Sequence, residues 1–342
     1  MTERYESVAA AQPPRRQAGS VAAVAQTLSD YKVILILFAV MLVLTVFLAP
    51  VFFAPQNLIN VARQASITGV VAVGMTFVVL TSGIDLSVGS ILALVGIIFS
   101  ITINTEAGVP GALAAALVVG TLVGIANGIG VTFLGIQAFI MTLASMAIAS
   151  GIALLICNGT PIHYQSESPL VAVLGNGSLG GVPGPVIVFA VVAVAASLIL
   201  RYLPFGRFVY GIGGGLEAAR LSGVRTARVL IIVYAISGFC AAIAGIITTS
   251  RLFVGHPTAG APIMLDSIAA VVIGGTSLMG GKGSIIGTVA GVLLLAMVAN
   301  LLNLLGVSPF DQQIAKGGII ILAVLFTSQG LWARIVQQWN AL

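Results

Sequence analysis

Uncharged apolar stretches recur along most of this 342-residue sequence, and they restrict its fold more than any other feature. A helix needs about 20 apolar residues to cross the hydrocarbon core of a bilayer. Apolar runs of this kind, separated by polar segments with glycine or proline, predict a chain that crosses the membrane repeatedly. The ten predicted spans have the approximate bounds 33–53, 58–80, 86–103, 110–131, 137–156, 186–200, 229–249, 267–279, 285–305 and 314–326.

The composition excludes a water-soluble fold. Only 7% of the residues are charged and 59% are hydrophobic, whereas a soluble domain carries about 25% charged residues. The sequence therefore predicts an all-α polytopic membrane protein with about ten transmembrane helices. Its two cysteines, Cys157 and Cys240, fall at the end of one predicted span and inside another, so no disulfide framework is expected.

The basic residues orient the spans, because lysine and arginine collect in cytoplasmic loops. An N-terminus inside the cell places most of them on that side, namely Arg4, Arg15, Arg16, Lys32, Arg201, Arg207, Arg220, Arg225, Arg228, Lys282 and Arg334. Arg63, Arg251 and Lys316 fall toward the other face. We therefore expect both termini to be cytoplasmic. The net charge of +5 then reports topology rather than nucleic-acid binding.

One transmembrane domain, residues 33–330, is predicted between a disordered cytoplasmic N-terminal tail, residues 1–32, and a cytoplasmic C-terminal tail, residues 331–342. Within it, Leu134–Phe139 resembles Leu305–Phe310, and each segment follows an apolar helix that contains an asparagine. Internal repeats build many transporters around a central site. The alternatives here are an internal repeat and chance similarity in a sequence rich in leucine and glycine.

The segment Thr81–Ser90 places a carboxylate, hydroxyls and glycines between two uncharged stretches. A charged Asp85 near the bilayer centre costs roughly 2.5–3.5 kcal/mol on insertion scales, so a functional or gating role is favoured. The glycines predict that the helix breaks there. The alternative is a cytoplasm-facing turn in which Asp85 is a solvated helix N-cap.

The polar residues inside the predicted spans are mostly uncharged. Proton-coupled carriers need relays of acidic residues or histidines, and Asp85 is almost alone. Uncharged groups suit a path for a neutral, hydroxylated solute, or else serve as interhelical hydrogen bonds worth ~0.6 kcal/mol each. Asn300 and Gln312 belong to this set. The candidate residues of a translocation path are Asp85, Ser87, Asn127, Gln137 and Thr142.

Two glycine-rich segments fail as nucleotide-binding motifs. Gly280–Ser284 lacks the first glycine of a phosphate loop, where Thr276 stands, and has Gly283 where serine or threonine must follow the lysine. It is predicted to be a tight cytoplasmic turn. Gly211–Leu216 lacks the third glycine of the dinucleotide pattern. We therefore expect no ATP site in this chain.

The sequence also shows no group of residues typical of a catalytic or metal-binding site. The two histidines, His163 and His256, fall in predicted external loops, where a lone histidine is usually a surface residue. Asp266 and Asp311 lie near predicted span starts, where N-capping is the default explanation. The chain is expected to make no bonds itself and to bind no cofactor or metal.

The most basic loop, residues 203–228, contains a short run with helical character, Leu216–Leu221, flanked by glycines. A helix lying along the membrane face can dock in a groove of a cytosolic partner. The alternative is a solvated connector.

Several motifs together resemble the ribose-type permeases of bacterial ABC sugar importers over residues 33–330. They are Leu80–Ser90, Gln137–Leu143, Asn158–Ile162, Phe205–Gly214, Glu217–Gly223, Pro257–Gly260, Leu265–Leu278 and Gly280–Gly283. Two positions depart from the family pattern. Gly215-Leu216 stands where the family often has asparagine, and Met264 where it often has an acidic residue.

The resemblance implies a multi-pass subunit of the bacterial inner membrane that imports ribose or a related monosaccharide. It would pair with a second copy of itself, or with a homologous permease, and with two ATPase subunits that use ATP and Mg²⁺. The coupling helix seated in the ATPase would then comprise Glu217, Ala218, Ala219, Arg220, Leu221, Ser222 and Gly223.

A periplasmic binding protein is expected to deliver the sugar and to carry most of the selectivity. Its candidate contacts on the outer loops are Arg251, His256 and Glu167. The main rival function is a secondary carrier working alone. A purely structural membrane protein is disfavoured by the motif at Glu217–Gly223.

Overall fold

The structure is a computed structural model and describes residues 32–327. It is built from helices, in the order α1 Lys32–Leu48, a 3-10 turn Pro50–Phe53, α2 Pro55–Leu80, α3 Val88–Thr102, α4 Gly108–Thr132, α5 Ala138–Ile156, α6 Pro169–Gly175, α7 Gly184–Tyr202, α8 Pro204–Gly214, α9 Leu216–Leu221, α10 Thr226–Leu252, α11 Ala261–Ile273, α12 Ile285–Leu304 and α13 Pro309–Thr327. Of the two predicted tails, only Lys32 is among the described residues; residues 1–31 and 331–342 lie outside them.

Within residues 32–327, six helices are long and apolar enough to cross a membrane: α2, α4, α5, α7, α10 and α12. The all-α polytopic class is therefore confirmed. The count of ten spans stays a prediction, since α3 has 15 residues and α11 has 13, fewer than the roughly 20 that a straight crossing needs.

The eighth predicted span was placed wrongly. Residues 267–279 were expected, whereas α11 covers Ala261–Ile273. It ends before Gly274-Gly275, where Gly275 adopts a φ of +86°. A left-handed glycine commonly terminates a helix, because its neighbours cannot continue the hydrogen-bond ladder.

Helices α2 and α10 form the centre of the molecule. In the most apolar 18-residue stretch of each helix, 83% of the residues of α2 and 61% of those of α10 are buried. The corresponding share is 22% in α4 and in α5. Helix α4 packs against α10 with glycines at the contact, since a Cβ on Gly124 would overlap the Tyr234 carbonyl and one on Gly238 would overlap that of Gly120. Small residues let helix backbones approach closely in a membrane, where no hydrophobic effect drives association.

The polar segment 158–185 is folded rather than extended. It contains β1 Ile162–His163, helix α6, and a small hairpin of β2 Ser178–Leu179 with β3 Val182–Pro183. Strand β1 pairs antiparallel with β4 Val254–Gly255, which follows α10. This pairing joins two segments that the sequence predicted to be external loops.

The two segments of the suspected repeat form similar turns. Gly135 follows α4 with a φ of +67°, and Gly306 follows α12 with a φ of +73°. Each turn leads directly into the next helix, α5 or α13. A left-handed glycine is a common way for a helix to end, so this similarity alone does not separate a repeat from chance, and the repeat stays a prediction.

Candidate functional site

The predicted break at Thr81–Ser90 is confirmed, because α2 ends at Leu80 and α3 begins at Val88. The residue in the left-handed region is Ser82, with a φ of +63°, rather than one of the glycines on which the prediction rested. Residues 81–87 are therefore a non-helical segment between two helices. Non-helical backbone at membrane depth is tolerated where protein covers it.

Asp85 lies in this segment and is fully buried. One carboxylate oxygen accepts hydrogen bonds from the Ser87 backbone N–H, at 3.0 Å, and from the Ser87 hydroxyl. The other accepts a bond from the Ser237 hydroxyl of α10 at 2.8 Å. The carboxylate also precedes the first turn of α3, where the helix dipole favours negative charge. The alternative of a solvated N-cap is wrong, since Asp85 has no exposure.

Two further polar residues join this group. The Asn127 side-chain amide donates to the Ser87 hydroxyl oxygen at 2.8 Å, and the Thr142 hydroxyl donates to the Ile84 carbonyl at 3.1 Å. We call Asp85, Ser87, Asn127, Thr142 and Ser237 the Asp85 cluster. It ties the 81–87 segment to α4, α5 and α10 at once, although these helices are far apart in the sequence.

Four of the five candidate path residues thus come together, and all four are buried. Gln137 is exposed at the start of α5 and does not join them. Ser237 was missed by sequence reasoning, since nothing local relates it to an aspartate 152 positions earlier. A path-lining role for these residues stays a prediction.

The other polar residues of the spans pair between helices. Asn57 of α2 and Asn300 of α12 exchange two amide hydrogen bonds, of 2.8 and 2.9 Å. Gln312 of α13 donates to Asn303 of α12 at 2.7 Å. Asn300 and Gln312 therefore hold helices together, which is the structural alternative to a lining role.

Asp266 and Lys316 form an ion pair between α11 and α13, with 2.8 Å between carboxylate and ammonium. Their side chains are 21% and 22% exposed, so the pair is largely shielded from solvent. The expectation of an N-cap at Asp266 is wrong, because this residue lies in the second turn of α11. Asp311 lies in the first turn of α13 but is not its N-cap either, because the Ser308 hydroxyl accepts from the Asp311 backbone N–H at 3.2 Å and donates to the Asp311 carboxylate at 2.8 Å.

The helix predicted in the basic loop is confirmed, with the bounds Leu216–Leu221. Leu216 is 52% exposed and Leu221 is 81% exposed, whereas Ala219 packs inward. Glu217 and Arg220 approach to 3.9 Å, but both side chains are about 70% exposed, so the pair adds little stability. The helix presents two leucines and two charges on its outer surface. Its role in coupling stays a prediction.

The candidate binding-protein contacts lie at the other end of α10. Arg251 is in its last turn, and the Arg251 carbonyl accepts a bond of 2.9 Å from the Asn176 amide. Arg63 of α2 donates to the Asn176 carbonyl at 2.8 Å. His256 is exposed just after β4, and Glu167 is exposed between β1 and α6. Pairing of β1 with β4 brings the loops that carry these residues together.

Tyr164 connects this outer region to α10 and α3. Its hydroxyl donates to the Thr249 carbonyl at 3.2 Å, and its ring meets Phe99 edge-on at 5.7 Å between centroids. Burial raises the pKa of the Tyr164 hydroxyl above its ordinary value.

Among the described residues, no three histidine, cysteine, aspartate or glutamate side chains lie close enough to hold a metal ion.

Comparison with known proteins identifies the family. Residues 57–327 match the family model described as "Branched-chain amino acid transport system / permease component". The chain belongs to this family. The match covers every span from α2 onward, including the Asp85 cluster and the basic loop.

Curated relatives match over most of their length. The chain is 44% identical over 278 residues to the ribose import permease protein RbsC of Haemophilus influenzae, covering 81% of this chain and 86% of that protein. It is 44% identical over 293 residues to RbsC of Escherichia coli strain K12, covering 85% and 91%. It is 35% identical to the xylose transport system permease protein XylH of the same strain, covering 88% and 92%. The resemblance indicated by the motifs is confirmed.

Proposed function

We propose that this chain is the transmembrane permease subunit of an ATP-binding-cassette importer for ribose or a related monosaccharide. The observation that carries the proposal is the 44% identity to ribose import permeases over more than four fifths of the chain. The chain is also 35% identical to xylose transport permeases, which are named for another pentose. Together they favour a sugar over the amino acids named in the family description.

The partners follow from this assignment. The chain contains no complete phosphate-loop motif, so separate ATPase subunits would bind ATP and Mg²⁺ and hydrolyse the nucleotide. A periplasmic binding protein would deliver the sugar to the outer loops that carry Arg251, His256 and Glu167. A second copy of the chain, or a homologous permease, would complete the pathway within the lipid of the bacterial inner membrane.

Coupling is assigned to the segment Glu217–Gly223. Its exposed helix, α9, lies in the most basic loop, where the positive-inside rule places the cytoplasm. The exposed Leu216 and Leu221 offer an apolar contact to a groove in the ATPase. Ten spans with both termini cytoplasmic are part of the same proposal.

We expect the Asp85 cluster to hold the helices beside the translocation path in place rather than to line the path. Its members are buried among α4, α5 and α10. The two permease copies would rock against each other to open a central route. Gln137, which is exposed at the start of α5, remains a candidate for direct contact with the solute.

Reconstitution tests the function directly. The purified permease, its ATPase subunits and its binding protein are placed in liposomes, and uptake of labelled ribose, xylose and leucine is measured with and without ATP. We expect ATP-dependent uptake of a pentose. Sugar uptake without the ATPase subunits would identify a secondary carrier instead, and uptake of leucine alone would assign the substrate to the amino acids.

A further inference from the structure

Three glycine-containing segments meet at the end of α2 that faces the basic loop. They are residues 80–83, the C-terminal part of α8 at 211–215, and the loop 279–283. The Gly281 N–H donates to the Leu80 carbonyl at 3.0 Å, and the Ser82 hydroxyl donates to the Met279 carbonyl at 2.7 Å. We call this contact the three-segment junction. It brings together the two glycine-rich segments that fail as nucleotide-binding motifs.

The junction is packed backbone against backbone at Gly213. A Cβ placed on this residue would overlap both the Leu80 carbonyl oxygen and the Gly281 nitrogen. The Ser82 hydroxyl also lies 3.4 Å from the Gly213 carbonyl oxygen. A further tie joins α8 to the third segment, since the Tyr210 hydroxyl donates to the Gly283 carbonyl at 2.9 Å. Contacts of this kind leave little freedom for the segments to slide past one another.

The junction lies between the exposed helix α9 and the membrane core. On one side, α8 ends at Gly214 and the chain enters α9 at Leu216. On the other side, residues 80–83 lead into the Asp85 cluster, and residues 279–283 lead into α12. A cavity of about 290 Å³, lined in part by Ser82, Gly213 and Leu216, separates the junction from the start of α5.

We propose that the three-segment junction transmits displacement of helix α9 to the membrane core, with Gly213 and Ser82 as its positioning residues. The inference rests on the proposed coupling role of α9 and extends it inward. Movement of α9 would shift α8, and α8 would carry residues 80–83 and 279–283 with it. The Asp85 cluster would then pass the shift to α4, α5 and α10, while the adjacent cavity gives α9 room to move.

The test measures sugar moved per ATP hydrolysed by the reconstituted complex with saturating sugar-loaded binding protein. In Gly213→Ala, the added methyl group forces the segments apart. We expect the sugar-to-ATP ratio to fall about tenfold, in the range typical of a coupling free energy. The ATPase subunits should still copurify with the variant and hydrolyse ATP, which separates loss of coupling from loss of structure.

Two matched controls lie on the same helix. A Cβ at Gly211 or at Gly214 meets no atom within 4 Å, so Gly211→Ala and Gly214→Ala should keep the normal ratio. If both controls lose coupling as severely as Gly213→Ala, the effect belongs to α8 in general and the proposal is overturned.

A second variant keeps the test decisive if Gly213→Ala does not fold. Ser82→Gly removes the hydroxyl while easing the positive φ of this residue. Loss of one hydrogen bond of about 1 kcal/mol should lower the ratio about fivefold. A normal ratio in Ser82→Gly would overturn the proposal. The wild-type complex distinguishes this failure from failure of the proposed function, because the wild type must itself show ATP-dependent uptake.

Discussion

A buried carboxylate in a membrane domain needs donors that hold it in place, and Asp85 has three of them. The Ser87 backbone and hydroxyl bind one oxygen, and the Ser237 hydroxyl binds the other. Hydrogen bonds to charged groups contribute about 1.5–3 kcal/mol each, and a buried donor left without an acceptor costs a comparable amount. These bonds fix the 81–87 segment against α10.

Replacing this carboxylate should loosen the whole segment. We expect Asp85→Leu to lower the free energy of unfolding by about 2–5 kcal/mol, because two hydroxyls and an N–H lose their acceptor inside the protein. Asp85→Asn keeps one acceptor oxygen and should show a smaller loss. The measurement is thermal unfolding of the purified variants in detergent, together with uptake. Wild-type stability and uptake in Asp85→Leu would show that Asp85 is a replaceable residue.

The ion pair between Asp266 and Lys316 gives a second prediction for single residues. Because each side chain is about one fifth exposed, loss of one partner should cost about 1–3 kcal/mol, less than the 3–5 kcal/mol of a fully buried pair. Asp266→Asn and Lys316→Gln should each lower the melting temperature. The double variant Asp266→Lys with Lys316→Asp should recover part of the loss. Equal loss in the single and exchanged variants would mean that the charges do not act as a pair.

At the scale of elements, α9 is distinguished by its exposure and by its place after the three-segment junction. A helix of six residues is not stable alone in water. The free-energy cost of nucleating the helix exceeds the gain from the few hydrogen bonds that so short a helix can form. The buried Ala219 and the preceding α8 hold it in place. Its free outer face is therefore available to a partner rather than needed for folding of the chain.

Reversing a charge on that face should uncouple transport from hydrolysis. In Glu217→Arg the new side chain would face Arg220 and repel it, at a cost of about 0.2–0.5 kcal/mol to the helix, so the chain should still insert. We expect ATP hydrolysis by the complex to continue while sugar uptake falls. Glu106→Arg is the matched control, because Glu106 is exposed in the loop between α3 and α4, which is predicted to lie on the other side of the membrane. Normal uptake in Glu217→Arg would remove the coupling assignment.

At the scale of the whole molecule, the sequence predicts features that depend on neighbouring residues, but it does not predict contacts between residues far apart in the chain. The bounds of α9 followed from its flanking glycines, and the break after Leu80 followed from polar residues in an apolar stretch. The pairing of Asp85 with Ser237 did not, because a serine in an apolar helix gives no indication of its partner. The end of α11 was misplaced because Gly274-Gly275 lies inside a continuous apolar pattern.

The loops also separate onto two ends of α2, as the positive-inside rule predicts. At Leu80 the helix meets Gly281 and is close to Gly213, both in loops predicted to be cytoplasmic. Near its other end, Arg63 meets Asn176, in a segment predicted to be external. The same division holds for α10, whose first residues follow the basic loop and whose last turn contacts Asn176.

Thiol labelling can assign these ends to the two sides of the membrane. Both native cysteines are buried, at 4% and 3% exposure, so a membrane-impermeant maleimide should give little background. Glu106→Cys should react in intact spheroplasts, because Glu106 lies at the end shared with Arg63 and Asn176. Ser222→Cys, just after α9, should react only after the membrane is permeabilised. The reverse pattern would place α9 outside the cell, where an ATPase cannot reach it, and the importer assignment would then fail.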